Sequence, residues 1–134
     1  MSAFRVGVIG YGHSTDSLLH ALSAVNVRVR VCEPDSARRQ VAAINTGAIV
    51  ATLPADVAED ADVVVVEVTD RHEWDEALFG LGGVGETLRE GGLVVDLSSG
   101  SDGARAATHF GQYGIRYLDL KIGQSELETA PCAA

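Results

Sequence analysis

The sequence predicts a doubly wound α/β fold, with a parallel sheet of about six strands and helices on both faces. Three observations lead there. Short apolar runs alternate with helical patterns through most of the chain, the order that gives α/β architecture. One run, "DVVVVEV" at 62–68, is almost continuously β-branched, as in a strand buried on both faces of a parallel sheet. The first run, "FRVGVI" at 4–9, stops at Gly10, and a helical pattern begins after Gly12.

Taken in order, 4–9 reads as the first strand. A helix follows from about 14 to 25, with Leu18, Leu19 and Leu22 at helical spacing. "VRVRVC" at 27–32 alternates, so it is a strand with one wetter face. "PDSARRQVAAIN" is the next helix, with Asp35 as N-cap and Gly47 just past its end. "AIVA" at 48–51 is a short third strand, and "PADVAED" is a brief helical turn started by Pro54. After the fourth strand, 71–79 and 83–90 are expected to be helical, separated by "GLGG". "GLVVDL" at 92–97, a helix at 102–113 and "IRYLDL" at 115–120 complete the pattern. The domain is drawn as 1–123, with 124–134 as a tail or truncated linker. Neither internal repeats nor low-complexity segments interrupt it.

The chain has 134 residues, 46% of them hydrophobic and 22% charged. That is one domain with a real core. The net charge of −9 and the lack of basic clusters beyond Arg38-Arg39 argue against a nucleic-acid partner. No apolar run approaches the roughly 20 residues a membrane helix needs. "MSAFR" leads straight into a strand with no signal-peptide core, so the expectation is a cytoplasmic protein. Cys32 and Cys132 form no C-x-x-C pair and read as reduced thiols.

Ligands in such sheets bind at the carboxyl ends of the strands. Here that edge collects Gly10 to Ser14, Glu33, Val68 to Asp70 and Ser98 to Gly100. At Gly10 a strand must turn sharply into a helix, which glycine permits. Gly12 lets a pyrophosphate approach the backbone, and the N–H groups near His13 and Ser14 would point at it. Glu33 lies about 20 residues past the turn, where an acid accepts from an adenosine ribose. Pro34 and Asp35 follow with no immediate arginine, so NAD is favoured over NADP. Against this, Thr15 stands where a third glycine would let the helix pack closely, and Asp16 would repel a pyrophosphate. Thr15 must push the helix outward or find a special pocket.

Other candidates read as structural. His72 and Glu76 share a helix face rather than forming a metal site. His20 and His109 read as helix residues without partners. Asp96 and Asp119 read as solvated or capping acids, and Lys121 as an ordinary charged residue.

The Rossmann-type pattern over 4–123 resembles the N-terminal NAD(P)-binding domain of the β-hydroxyacid dehydrogenase family, which includes 6-phosphogluconate dehydrogenase, 3-hydroxyisobutyrate dehydrogenase and the imine reductases. The likeness is carried by "VGVIGYGHS", "VRVCEPDSARRQ", "ADVVVVEVTDRHEWDEALFG", "GGLVVDLSSGSDGARAA" and "GIRYLDLKIG". It implies that Gly10, Tyr11, Gly12, His13 and Ser14 line a pyrophosphate and Glu33 holds the ribose. It further implies that Val68 and Thr69 line the cofactor, and that Ser98 sits near the nicotinamide and contacts substrate. Thr15 departs from the family's third glycine. Gly123, Gln124 and Ser125 stand where a serine and two glycines are usual. The family's catalytic lysine belongs to a C-terminal helical domain that this sequence lacks.

Three functions are therefore weighed. The chain is the cofactor domain of an oxidoreductase, inactive alone, as a homodimer or beside a partner chain. Alternatively it is a non-catalytic pseudo-enzyme with a degraded turn, binding a protein or another small ligand. The third reading is a complete small enzyme on the same fold.

Overall fold

A computed structural model describes residues 4–25 and 27–120. Lys121, the 123–125 stretch, Cys132 and the expected tail lie outside the described residues. Six strands form one sheet: β1 (Phe4–Ile9), β2 (Val27–Cys32), β3 (Ile49–Val50), β4 (Val63–Val66), β5 (Leu93–Asp96) and β6 (Arg116–Asp119). Every pairing is parallel, in the order β3-β2-β1-β4-β5-β6. The chain reverses its direction of growth between β1 and β4, which creates a crevice beyond their carboxyl ends. Registers such as Val8↔Val31 and Val8↔Val65 stack valines across the centre.

Helices α1 (His13–Ser23) and α2 (Ser36–Thr46) cover one face. Leu19 and Ala42 there pack with Val6, Val8, Val31 and Val65. The opposite face carries α3 (Pro54–Ala58), α4 (Arg71–Phe79) and α5 (Gly103–Gly111). Trp74, Leu78, Ala106 and Phe110 close there over Ile9, Val64, Val66 and Val94. Alternating strand residues feed the two layers. That explains why β4 is valine throughout.

Local chemistry sets the boundaries. Asp35 caps α2, accepting from the N–H groups of Ala37 and Arg38 at 2.9 and 3.1 Å. Gly47 ends the helix at φ +70°, in the left-handed region. Asp70 caps α4 in the same way as Asp35. The helix expected at 83–90 is instead one 3₁₀ turn at Val84–Glu86. Glycines at 83, 85, 91 and 92 weaken any helix there, and Gly91 takes φ +88°.

Candidate functional site

The crevice begins at Gly10. Its φ is +86°, and a Cβ there would lie 2.0 Å from the Glu67 carbonyl oxygen. Only glycine fits. The Gly10 N–H donates to the Cys32 carbonyl at 2.9 Å, and the Glu67 N–H to that of Ile9 at 2.8 Å. Three strand ends are thereby held together at one point.

The backbone N–H groups of the turn divide into two sets. Tyr11 N–H donates to Glu33 Oε1 at 2.9 Å. Gly12 N–H donates to Thr15 Oγ1 at 2.8 Å, and Thr15 N–H to Glu67 Oε1 at 2.9 Å. The N–H groups of His13 and Ser14 make no hydrogen bond among the described residues. They are the donors left for an anion at the amino end of α1.

Thr15 finds its special pocket. It is fully buried, and its hydroxyl donates to Glu67 Oε1 at 2.9 Å. The polar partner that makes a threonine tolerable there comes from the end of β4. Glu67 was not singled out from the sequence. Its one visible signal is an acid interrupting the valine run at 63–68.

Asp16 is engaged rather than free. Its Oδ1 accepts from the Tyr11 hydroxyl and lies 3.4 Å from His20 Nε2. His20 was expected to lack a partner, and Asp16 one turn earlier supplies it. His109 likewise has neighbours: its ring meets Phe79 edge-on at 4.7 Å between centroids.

Glu33 closes β2 with both oxygens already used. Oε1 takes the Tyr11 N–H, and Oε2 takes the Asp35 N–H at 2.8 Å. The residue is 5% exposed. Each oxygen keeps a second lone pair, so a ribose hydroxyl can still donate to it.

One cavity of about 670 Å³ gathers Gly10, Tyr11, Gly12, His13, Glu33, Val68 and Thr69. Ser14 adjoins it on α1 but does not line it. Arg38 does line it, beside Glu33 and Pro34. The expectation of no nearby positive charge is thus corrected: one helical turn brings Arg38 back over the end of β2. Glu67, Glu73 and Glu76 stand on the other wall. Cys32 also lines the cavity; burial first, then the Glu33 charge, push its thiol up to about 11.

Ser98 is not on this wall. It is 1% exposed, and its hydroxyl accepts from Val68 N–H at 3.0 Å. The hydroxyl is spent on tying the β4 and β5 ends together, while its neighbour Ser99 is exposed. Ser98 N–H in turn donates to Asp96 Oδ1 at 2.9 Å. Asp96 is neither solvated nor a helix cap, contrary to expectation. It is fully buried and also accepts from Trp74 Nε1 at 2.7 Å and from the Tyr117 hydroxyl. Burial and the Asp96 bond raise Tyr117 well above the ordinary tyrosine range.

His72 and Glu76 form the expected surface pair at 3.5 Å. No cluster of three or more His, Cys, Asp or Glu able to hold a metal exists among the described residues.

A glycine turn leading from a strand into a helix at the switch point of a 3-2-1-4-5-6 sheet, with an acid closing the second strand, defines a Rossmann-type dinucleotide-binding domain. The chain belongs to the family described as the NAD binding domain of 6-phosphogluconate dehydrogenase, whose model matches residues 5–128. The solved structures similar to it include an imine reductase from Myxococcus stipitatus in complex with NADP+, at 31% identity and a TM-score of 0.73, over 86% of this chain and 39% of that one. A V8 variant of an imine reductase from that organism, in complex with NAD+, matches at 31% identity and a TM-score of 0.70, over 89% and 40%. The 3-hydroxyisobutyrate dehydrogenase of Mycobacterium tuberculosis, with L-serine, shares 19% identity at a TM-score of 0.73 over 88% and 40%. At that identity the likeness is one of fold. The chain therefore spans about two-fifths of the length of these proteins. Among curated proteins, none matches it.

Proposed function

We propose that this domain binds a nicotinamide dinucleotide in the crevice at the carboxyl edge and supplies the cofactor half of an oxidoreductase. The observation that carries the reading is the pair of unbonded N–H groups at His13 and Ser14, at the amino end of α1 beside the cavity that Gly10, Gly12 and Glu33 line. Tyr11, Gly12, His13 and Ser14 would meet the pyrophosphate, with Gly10 setting the turn. Glu33 would accept from the adenosine ribose, and Val68 and Thr69 would border the rest of the cofactor. Ser98, expected to contact substrate, would act near the nicotinamide by holding the Val68 loop in place.

NAD is favoured over NADP. A ribose 2′-phosphate would meet the carboxylates of Glu33 and Asp35 at the end of β2, and of the two guanidiniums there Arg39 already donates to the Glu33 carbonyl at 3.1 Å, which leaves Arg38 on the cavity wall. Bound cofactor would supply hydride transfer, but the chain alone should show no turnover, because the lysine that the family resemblance implies belongs to a separate helical domain. The same reading gives a cytoplasmic domain that works as a homodimer or with a partner chain. Tyr113, Leu118 and Leu120, exposed near the β6 edge, support an apolar contact there.

Calorimetric titration with NAD+, NADH, NADP+ and NADPH tests this. Saturable binding is expected, tighter for the unphosphorylated pair and weakened by Glu33→Gln. Absence of heat with all four at millimolar ligand would discard the reading in favour of a pseudo-enzyme. Tighter NADP(H) binding that is lost in Arg38→Ala would reverse the cofactor preference.

A further inference from the structure

We infer that Glu67 sets the affinity of the crevice for phosphorylated ligands, acting as a fixed negative wall beneath the glycine turn. The inference rests on the crevice being the dinucleotide site. The carboxylate sits where it matters most. A Cβ placed on Gly12 would lie 3.0 Å from Glu67 Cδ and Oε1 and 3.2 Å from Oε2. The carboxylate thus fills the space that a side chain at position 12 would take, next to the amino end of α1.

Two contacts keep it there. The N–H and the hydroxyl of the buried Thr15 both donate to Oε1, across 52 positions of sequence. The hydroxyl also accepts from Gly12 N–H, so the threonine and the glutamate form one unit with the turn. No Lys, Arg or His lies within ion-pair distance of Glu67 among the described residues. Glu33, Glu73 and Glu76 share the cavity, where Arg38 is the single Lys or Arg among the lining residues.

The amino end of α1 favours an anion, and part of that capacity is already taken by a carboxylate. A pyrophosphate arriving at His13 and Ser14 meets a like charge in a partly desolvated crevice. At several ångströms this repulsion corresponds to about tenfold in affinity. Adenosine, which has no phosphate, is indifferent to it.

Glu67→Gln separates charge from structure, because the amide keeps an oxygen to accept from Thr15. We expect this variant to bind ADP and NAD+ about tenfold more tightly than the wild type, with adenosine changed less than twofold and the circular dichroism spectrum unaltered. ADP affinity that is unchanged or lowered in the folded variant would overturn the inference while leaving the dinucleotide reading intact. Failure of ADP, adenosine and NAD+ to bind either protein at millimolar concentration would remove both. A comparison within the wild type needs no variant: ADP should bind no tighter than adenosine, and a preference for ADP above tenfold would refute the role given to Glu67.

Discussion

Replacing Asp96 by asparagine should destabilise the fold far more than so small a change suggests. The carboxylate is fully buried and takes three donors: Trp74 Nε1 at 2.7 Å, Ser98 N–H at 2.9 Å and the Tyr117 hydroxyl. An amide offers one oxygen in place of two. Whichever way it is turned, a buried N–H of Trp74 or Ser98 must face the new NH2 group. An orphaned buried donor costs about 1–3 kcal/mol, and the remaining bonds lose the extra strength a carboxylate gives them. Relief from burying a charge offsets part of this. The net loss is about 2–4 kcal/mol. For a domain of this size that lowers Tm by about 8–16 °C. Trp74 is the sole tryptophan, so its fluorescence reports both unfolding and the local environment. Urea and thermal unfolding of wild type, Asp96→Asn, Trp74→Phe and the double variant, followed by circular dichroism because two of the four lack the tryptophan, form a cycle with a coupling of at least about 1 kcal/mol expected. A loss below about 0.5 kcal/mol for Asp96→Asn, or additive single changes, would refute the account of Asp96 as a shared buried acceptor.

Gly10→Ala and Gly47→Ala both place a side chain at positive φ, yet they should differ in size. The first drives a Cβ into the Glu67 carbonyl and should cost more than about 3 kcal/mol in chemical denaturation; the second meets nothing within 4 Å and should cost about 1–2 kcal/mol. The Cys32 thiol, raised to about 11, should react with iodoacetamide at pH 8 much more slowly than a free thiol. Its folded-state pKa is raised, so the neutral form's contribution to stability is complete below about pH 9 and disappears as pH climbs through about 11. Tyr117 acts with the same sign from about pH 10 upward. Tyr117→Phe should therefore flatten the alkaline end of the stability profile, measured as urea midpoint against pH.

Much of this molecule was legible in the sequence because its signals are local. "VRVRVC" gives a strand with the same bounds as β2, and the Asp35 cap with Gly47 brackets α2. Unbroken valine gives β4 and, with it, helices on both faces. The misread stretch at 83–90 has apolar spacing that suits a helix but too many glycines to fix one. At the site, the turn at Gly10 and the position of Glu33 follow from spacing. The partners of Thr15, Asp16 and Asp96 do not. Glu67 gains its meaning from Thr15, 52 residues away, and Asp96 from Trp74 and Tyr117 on two other elements. An acid reads as solvated until the fold shows which donors surround it. The nearness of Arg38 to Glu33 is not visible in the residues adjacent to the acid, because it is the turn of α2 that brings the guanidinium back to the cavity.

Glu33 binds the glycine turn to the end of β2 by holding Tyr11 with one oxygen and Asp35 with the other. Selection for a different cofactor cannot treat this position as a free dial. An exchange meant to alter ribose recognition also removes the brace that fixes Tyr11, and with it the attitude of the neighbouring peptide groups. The position should be strongly epistatic with residues 10–15. A switch of preference would then have to arrive through paired changes, or through Arg38 and its surroundings, where the wall can be repainted without loosening the frame.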